Sequence, residues 1–430
     1  MKRNLLRLIA LIGIMTLITG CAAPQEETSG GKDGKETIEF VYWAGAQGEE
    51  AAFSELIAKF EEENPAIKIK ASLVPPPNNG DYYSKLQTRF AAGDAPDIFR
   101  SQYQKFGEFS SQGALLDVTD LFEKEKVNFN SSLITAVSYD NKIFGLPHHT
   151  DTIAVFYNKT YFDKLGIKAP EKLEDAWTWE EFLEIGKKIK DEGLAKNGIG
   201  VAWNATSAYR SIPFFSQHGA ALLTDDLKSG NIATKEGVET FSFLKKMYKE
   251  TMSPGNSLKS SDDYNMLFTS GNVGMLINGN WMIPKFESDM KDFEWGVTYM
   301  PKNETASSDL GGNGLAIAAE TKHAKAAKKF LSFMGEKENM KYFVEKGLFL
   351  PGRTDISDFT YQLKDPKMMN VFINQATTIP EQQAKVVTST NFSTINQALA
   401  DSLDELFTSD ASPEKTAKEL NKKINELVKK

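Results

Sequence analysis

The sequence predicts an α/β fold of two domains, on three observations. The chain has 430 residues, more than one compact core organises, so two domains are the default. Thr37–Trp43, the helix-periodic stretch 49–62 and Ile67–Ala71 form a strand, a helix and a strand of βαβ size, which implies a parallel sheet. Residues 138–162 then hold two apolar runs, Ile143–Leu146 and Ile153–Tyr157, on either side of a polar crossing, His148–Thr152. Short apolar runs of this kind suggest strands buried on both faces. The crossing is either an ordinary loop or the place where the chain leaves one domain for another.

Taken in order, residues 1–20 read as a targeting signal. Lys2, Arg3 and Arg7 precede the mostly apolar stretch Leu5–Thr19, which is short for a membrane span. Ile18-Thr19-Gly20-Cys21 resembles the lipobox of bacterial lipoproteins, so Cys21, the only cysteine in the chain, is expected to carry lipid. No disulfide can form within the chain. Ala22–Glu36 is polar and lacks large apolar residues; it is expected to be a flexible tether, with a reach on the order of 20 Å.

In the body, Ala52, Phe53, Leu56, Ile57 and Phe60 share one helical face, and Asn64-Pro65 ends that helix. Asp97–Phe99 is a strand after the helix 82–92. Ligands of open α/β sheets bind beyond the carboxyl ends of strands, so Trp43–Gln47, Arg100–Gln104 and His148–Asp151 are expected on one edge. Thr178 with Glu181 three residues on is a capping box opening a helix. Ile199–Trp203 carries a further strand, Gly271–Trp281 is a glycine-punctuated strand and turn, and Leu310–Ile317 is a glycine-rich entry to another strand. These glycines precede a strand, so they are no dinucleotide fingerprint. Ser412 and Pro413 start a C-terminal helix with Ala417, Leu420, Ile424 and Leu427 on one face.

Net charge is -8. Without residues 1–20 it is near -11, from 47 basic against 58 acidic residues. An acidic surface argues against nucleic-acid binding and against a polybasic membrane patch. Enzyme signatures are scarce: the sequence contains no HExxH, GxSxG or P-loop. His148 and His149 are adjacent, so on an extended segment they face opposite ways, and no metal site or cofactor is expected. A glycosidase is left open, because its two acids can lie anywhere in sequence. Trp177 reads as surface or staple packing, and Trp179 and Trp295 as core. Trp43, Trp203 and Trp281 each fall at or just after a strand end, where a side chain can face a cleft. Sugars present apolar C–H faces to aromatic rings and hydroxyls to polar groups.

The stretch D-N-K-I-F-G-L-P, a polar gap, then F-Y-N-K-T-Y-F-D-K-L-G-I resembles the first interdomain crossover of sugar-binding proteins that serve ABC importers. GDAPDIF (93–99), TWEEFLEIGKKI (178–189), GNVGMLINGNW (271–281), GGNGLAIAAETKHAKAAKKFLSFM (311–334) and LPGR (350–353) follow in the order of that family, the extracellular solute-binding proteins related to maltose-binding protein. The resemblance implies a two-lobed periplasmic-binding-protein-like fold, each lobe a sheet flanked by helices, with crossovers near 149–153, 310–314 and 355–365. Lobe 1 would comprise 37–150 and 313–358, and lobe 2 would comprise 151–312 and 359–430. It implies a lipid-anchored, non-catalytic, monomeric receptor on the outer face of the cell membrane, which delivers a carbohydrate to an ABC permease. Its position-by-position match gives Asp151, Tyr209 and Trp281 as ligand contacts, and Asn313 in the glycine-rich run is expected beside them. Trp43, Gln47, Trp203 and Arg353 come next, and Gln102 and Tyr103 rest on a looser match. Two rivals stand beside it: a secreted carbohydrate-active enzyme, and a receptor for a non-sugar solute whose carboxylate Arg210 and Arg353 would hold.

Overall fold

The computed structural model describes residues 34–45, 47–76, 81–260 and 262–429. Cys21, the signal segment and most of the tether lie outside them, as does the side chain of Gln47.

Among the described residues, twelve strands form three sheets. They are β1 (Glu36–Tyr42), β2 (Ile67–Leu73), β3 (Ile98–Gln102), β4 (Ser138–Tyr139), β5 (Lys142–Ile143), β6 (Gly145–Asp151), β7 (Ile153–Asn158), β8 (Asn197–Val201), β9 (Val273–Gly279), β10 (Trp295–Thr298), β11 (Gly311–Ile317) and β12 (Leu350–Pro351). The first lobe is built on a six-stranded sheet, β12-β6-β11-β3-β1-β2, and the second on a four-stranded sheet, β10-β7-β9-β8. β1 pairs in parallel with β2 and β3, as the βαβ pattern predicts. β11 instead runs antiparallel to β3 and β6, so the sheet is mixed. The cause is connectivity: β11 returns from the second lobe and not from a crossover helix of its own.

The helix Gln47–Glu63 buries Phe53 and Phe60 fully. Phe60 meets Phe330 edge-on at 5.0 Å and Phe53 meets Phe343 at 4.7 Å, which fastens it to the helices Ala324–Gly335 and Lys337–Gly347. Each such ring buried contributes about 1.5–3 kcal/mol. Thr178 and Glu181 form both halves of the capping box. In the second lobe the helices Phe392–Thr408 and Pro413–Leu427 pack on each other and on Lys235–Thr251. Trp177 is core and not surface, against Phe162 and Phe182.

β6 departs from the sequence reading. The segment His148–Asp151 is no polar crossing loop but the second half of a fully buried strand. Pro147 is tolerated because the register slips opposite it: Gly314 faces Pro147 while Asn313 faces His149, leaving His148 as the extra residue of a bulge. Thr152 alone separates β6 from β7. Asp151, Gly311 and Gly312 therefore belong to the first sheet.

At Thr152 the chain passes from one sheet to the other beside its own return. The Ile153 amide donates to Asp309 Oδ1 at 2.9 Å and to Ser308 Oγ at 3.2 Å, and Ser308 Oγ donates to the Ile153 carbonyl at 2.8 Å. Thr150 Oγ1 donates to the Gly311 carbonyl. Asn280 accepts from the Thr152 amide and donates to the Leu348 carbonyl at 2.7 Å, so it grips both lobes.

Candidate binding site between the lobes

The carboxyl ends of β1, β3 and β6 meet, as the strand-end rule predicts, and Arg100 is where they meet. Its side chain is 1 % exposed. One guanidinium nitrogen donates to the Trp43 carbonyl at 2.5 Å, and the other lies 2.5 Å from Glu49 Oε1 and 3.3 Å from His149 Nε2. Asn313, with its amide oxygen turned inward, accepts from Arg100 and His149 at 3.1 Å each. Burial, then the Arg100 charge, pushes the His148 imidazole down to about 3 and His149 well below its ordinary value. Both are thus neutral, packed on Phe343.

Asp151 ends β6 almost fully buried. A Cβ at Gly311 would lie 1.9 Å from its Oδ1, so only glycine leaves the carboxyl room there. Gly312 has φ +106, and a Cβ there would press on the His149 carbonyl. Desolvation, then the neighbouring Asp309 carboxylate, lifts Asp151 to about 8, against the pull of Arg210 and Arg100. Burial likewise lifts Asp309 to about 6. Asp309 Oδ2 has no hydrogen-bond partner among the described residues.

From the second lobe, the short helical segment Ala205–Ser211 presents Tyr209 and Arg210. Asn396 fixes this segment by accepting from the Tyr209 amide at 2.8 Å. Arg210 donates to the Ala202 carbonyl and lies 5.0 Å over the Trp281 ring. Trp281 is half-buried, its ring laid over Gly279, where a Cβ would collide with it. Burial raises the Tyr209 hydroxyl to about 12, with Asp309 and Asp151 adding to the rise. Burial also raises Tyr83 of the first lobe, and Tyr209 adds to that shift.

The structure thus brings Asp151, Tyr209 and Trp281 together, and with them Asp309, Arg210 and Tyr83. Other expected contacts fall elsewhere. Trp203 is core: its Nε1 donates to the Asn256 carbonyl and its ring stacks on Phe407. Arg353 sits far down the first lobe, paired to both oxygens of Asp355 and to Glu125, over Phe129; its guanidinium is fully engaged. Tyr103 is fully buried and spends its hydroxyl on the His149 carbonyl. Asn313 is turned into the Arg100 cluster. Trp43 packs edge-on against Tyr82 beneath Arg100. Gln102 is half-buried beside Tyr83, with which it shares two hydrogen bonds. Asp309, two residues before the glycine-rich run, carried only that proximity as a signal. A separate cavity of about 260 Å³ opens between Ser138–Asp140 and 385–391, and none of the carboxylate cluster lines it.

A family model described as bacterial extracellular solute-binding protein matches residues 44–341. The chain belongs to that family. Among related solute-binding proteins, the arabinooligosaccharide-binding protein of Bacillus subtilis is 27% identical over 375 residues, covering 83% of this chain and 82% of the relative. The multiple sugar-binding protein of Streptococcus mutans is 27% identical over 365 residues, covering 78% and 80%. The structure of an ABC substrate-binding protein from Listeria monocytogenes in complex with cycloalternan matches with a TM-score of 0.75 and 25% identity, over 91% of this chain and 98% of that one. These proteins are solute-binding proteins and not enzymes, and the two-lobed fold is theirs. Among the described residues no helix is long and apolar enough to cross a membrane.

Proposed function

We propose that this solute-binding protein captures a sugar or oligosaccharide between its lobes and hands it, chemically unchanged, to an ABC permease. The single observation that carries the reading is Arg210, which lies over the half-buried Trp281 ring and acts on the buried carboxyls of Asp151 and Asp309. A pyranose or furanose ring needs one apolar platform and hydroxyl-accepting groups around it. Relatives that are named for sugars and oligosaccharides support it. Lobe closure over the ligand would present both lobes to the permease. The protein acts as a monomer, held to the outer face of the membrane by lipid on Cys21.

A thermal-shift screen of oligosaccharides tests this, followed by chromatography of the recovered sugar. A ligand at 100 times its Kd adds about 2.7 kcal/mol of stability. Stabilisation by a carbohydrate recovered intact is expected. Shortened products would make the protein an enzyme, and stabilisation only by non-sugar solutes would overturn the ligand class.

A further inference from the structure

We propose that Arg100 and Glu49 are positioning residues of the binding site, holding the Trp43-Ala44-Gly45 loop as the fixed lip of the first lobe. This rests on the binding reading above. The loop follows β1 at the sheet edge where ligands of α/β folds dock. The Trp43 ring anchors its start against Tyr82, but Ala44 and Gly45 have no large side chain to hold them. Arg100 holds the Trp43 carbonyl from below, and Glu49 Oε2 accepts from the Gly45 amide at 2.6 Å. The two grips are joined, because Arg100 also pairs with Glu49 at 2.5 Å. Both side chains are at most 2 % exposed.

The chemistry of the pair fits positioning better than stability. Taking two charges out of water costs most of what their attraction returns, so apolar residues of similar volume often serve a core equally well. A planar guanidinium does what they cannot. It reaches a carbonyl, a carboxylate and the Asn313 oxygen in fixed directions. It also lies between two rings, 4.7 Å over Trp43 and 5.6 Å over Phe53. The lip is thereby tied to β3, to β11 and to the first turn of the helix Gln47–Glu63.

The test is the double variant Arg100→Met with Glu49→Leu, which removes both charges while keeping the volume. The expected result is a melting temperature near that of the wild type. The Gly45 amide is expected to lose its hydrogen-exchange protection. Affinity for arabinotriose or maltotriose, whichever the wild type binds, is expected to fall about tenfold, which is about 1.4 kcal/mol. A variant that melts normally, protects Gly45 and binds normally would overturn the proposal. If the double variant does not fold, Arg100→Lys decides, since a single ammonium cannot span Trp43, Glu49 and Asn313 together. Lost protection and affinity support the proposal, and wild-type behaviour overturns it. If the wild type binds neither sugar, the carbohydrate reading loses its support, while the Gly45 exchange rate still judges Arg100 and Glu49.

Discussion

Asparagine in place of Asp151 removes a carboxyl that desolvation first, and Asp309 second, holds at a pKa of about 8. An unfolded aspartate titrates near 3.9. The folded chain therefore binds the extra proton between those values, and stability falls as pH rises from about 4 to 8. Asp309, at about 6, is half ionised at pH 6 and largely ionised from pH 7, so Asp151 dominates the difference between wild type and variant over the upper part of the window from pH 6 to 8. The slope is about 1.4 kcal/mol per pH unit at pH 6 and half that at pH 8, or about 2.3 kcal/mol across that window. With unfolding entropy near 2.1 cal/mol/K per residue, this is on the order of 3 °C in Tm for a chain of this size. Asp151→Asn keeps the shape and cannot ionise. Its Tm is expected to stay flatter than that of the wild type between pH 6 and 8, and to exceed it at pH 8. Calorimetric melts at pH 6, 7 and 8 are sufficient. Parallel Tm curves for the two proteins would refute the argument, because Asp151 would then ionise as freely folded as unfolded.

Trp281→Ala is expected to raise Kd ten- to hundredfold, about 1.5–3 kcal/mol, by removing the platform for a sugar ring; titration calorimetry checks it. Because the ring is only half-buried, the apo protein should lose less than the 3–5 kcal/mol typical of a core tryptophan, and a collapsed apo Tm with normal affinity would mark it as packing. Arg353→Ala should lower stability by about 2–3 kcal/mol through the unpaired Asp355 and the lost Gly335 contact, while ligand affinity stays within twofold; a large affinity loss would return Arg353 to the site. Cys21→Ala should release the protein from membranes or leave it unprocessed, and fractionation showing normal processing with full membrane retention counts against the lipid anchor. Affinity is expected to survive chelation by EDTA, and calorimetry showing its loss would point to a required metal.

What the sequence made legible was local. The helix face Ala52–Phe60, the Thr178–Glu181 box and the Ser412 cap each depend on residues a few positions apart, and they appear where their spacing puts them. Trp281 and Asp151 were reachable through family resemblance. Long-range pairings were not. Nothing near Trp203 in sequence announces Asn256 and Phe407, and nothing near Arg353 announces Glu125. His148 and His149 look like a loop because they are polar, yet Phe343, Phe349 and Arg100 supply a buried setting in which neutral imidazoles pack as rings. Asp309 and Arg210 acquire meaning only when two lobes face each other.

The fastening of Ile153 to Ser308 and Asp309 constrains how the lobes can move. The outgoing and returning chains are laced together at the point where they pass between sheets, so neither can slide along the other without breaking the lacing. Turning one sheet against the other is cheapest about the line of those bonds. Groups on that line hardly change their separation as the angle changes, whereas groups far from it sweep through large arcs. Asp309 is on it, and Asp151 stands only two residues before Ile153. A captured solute would therefore find its carboxyl anchor already set, whatever the angle between the lobes.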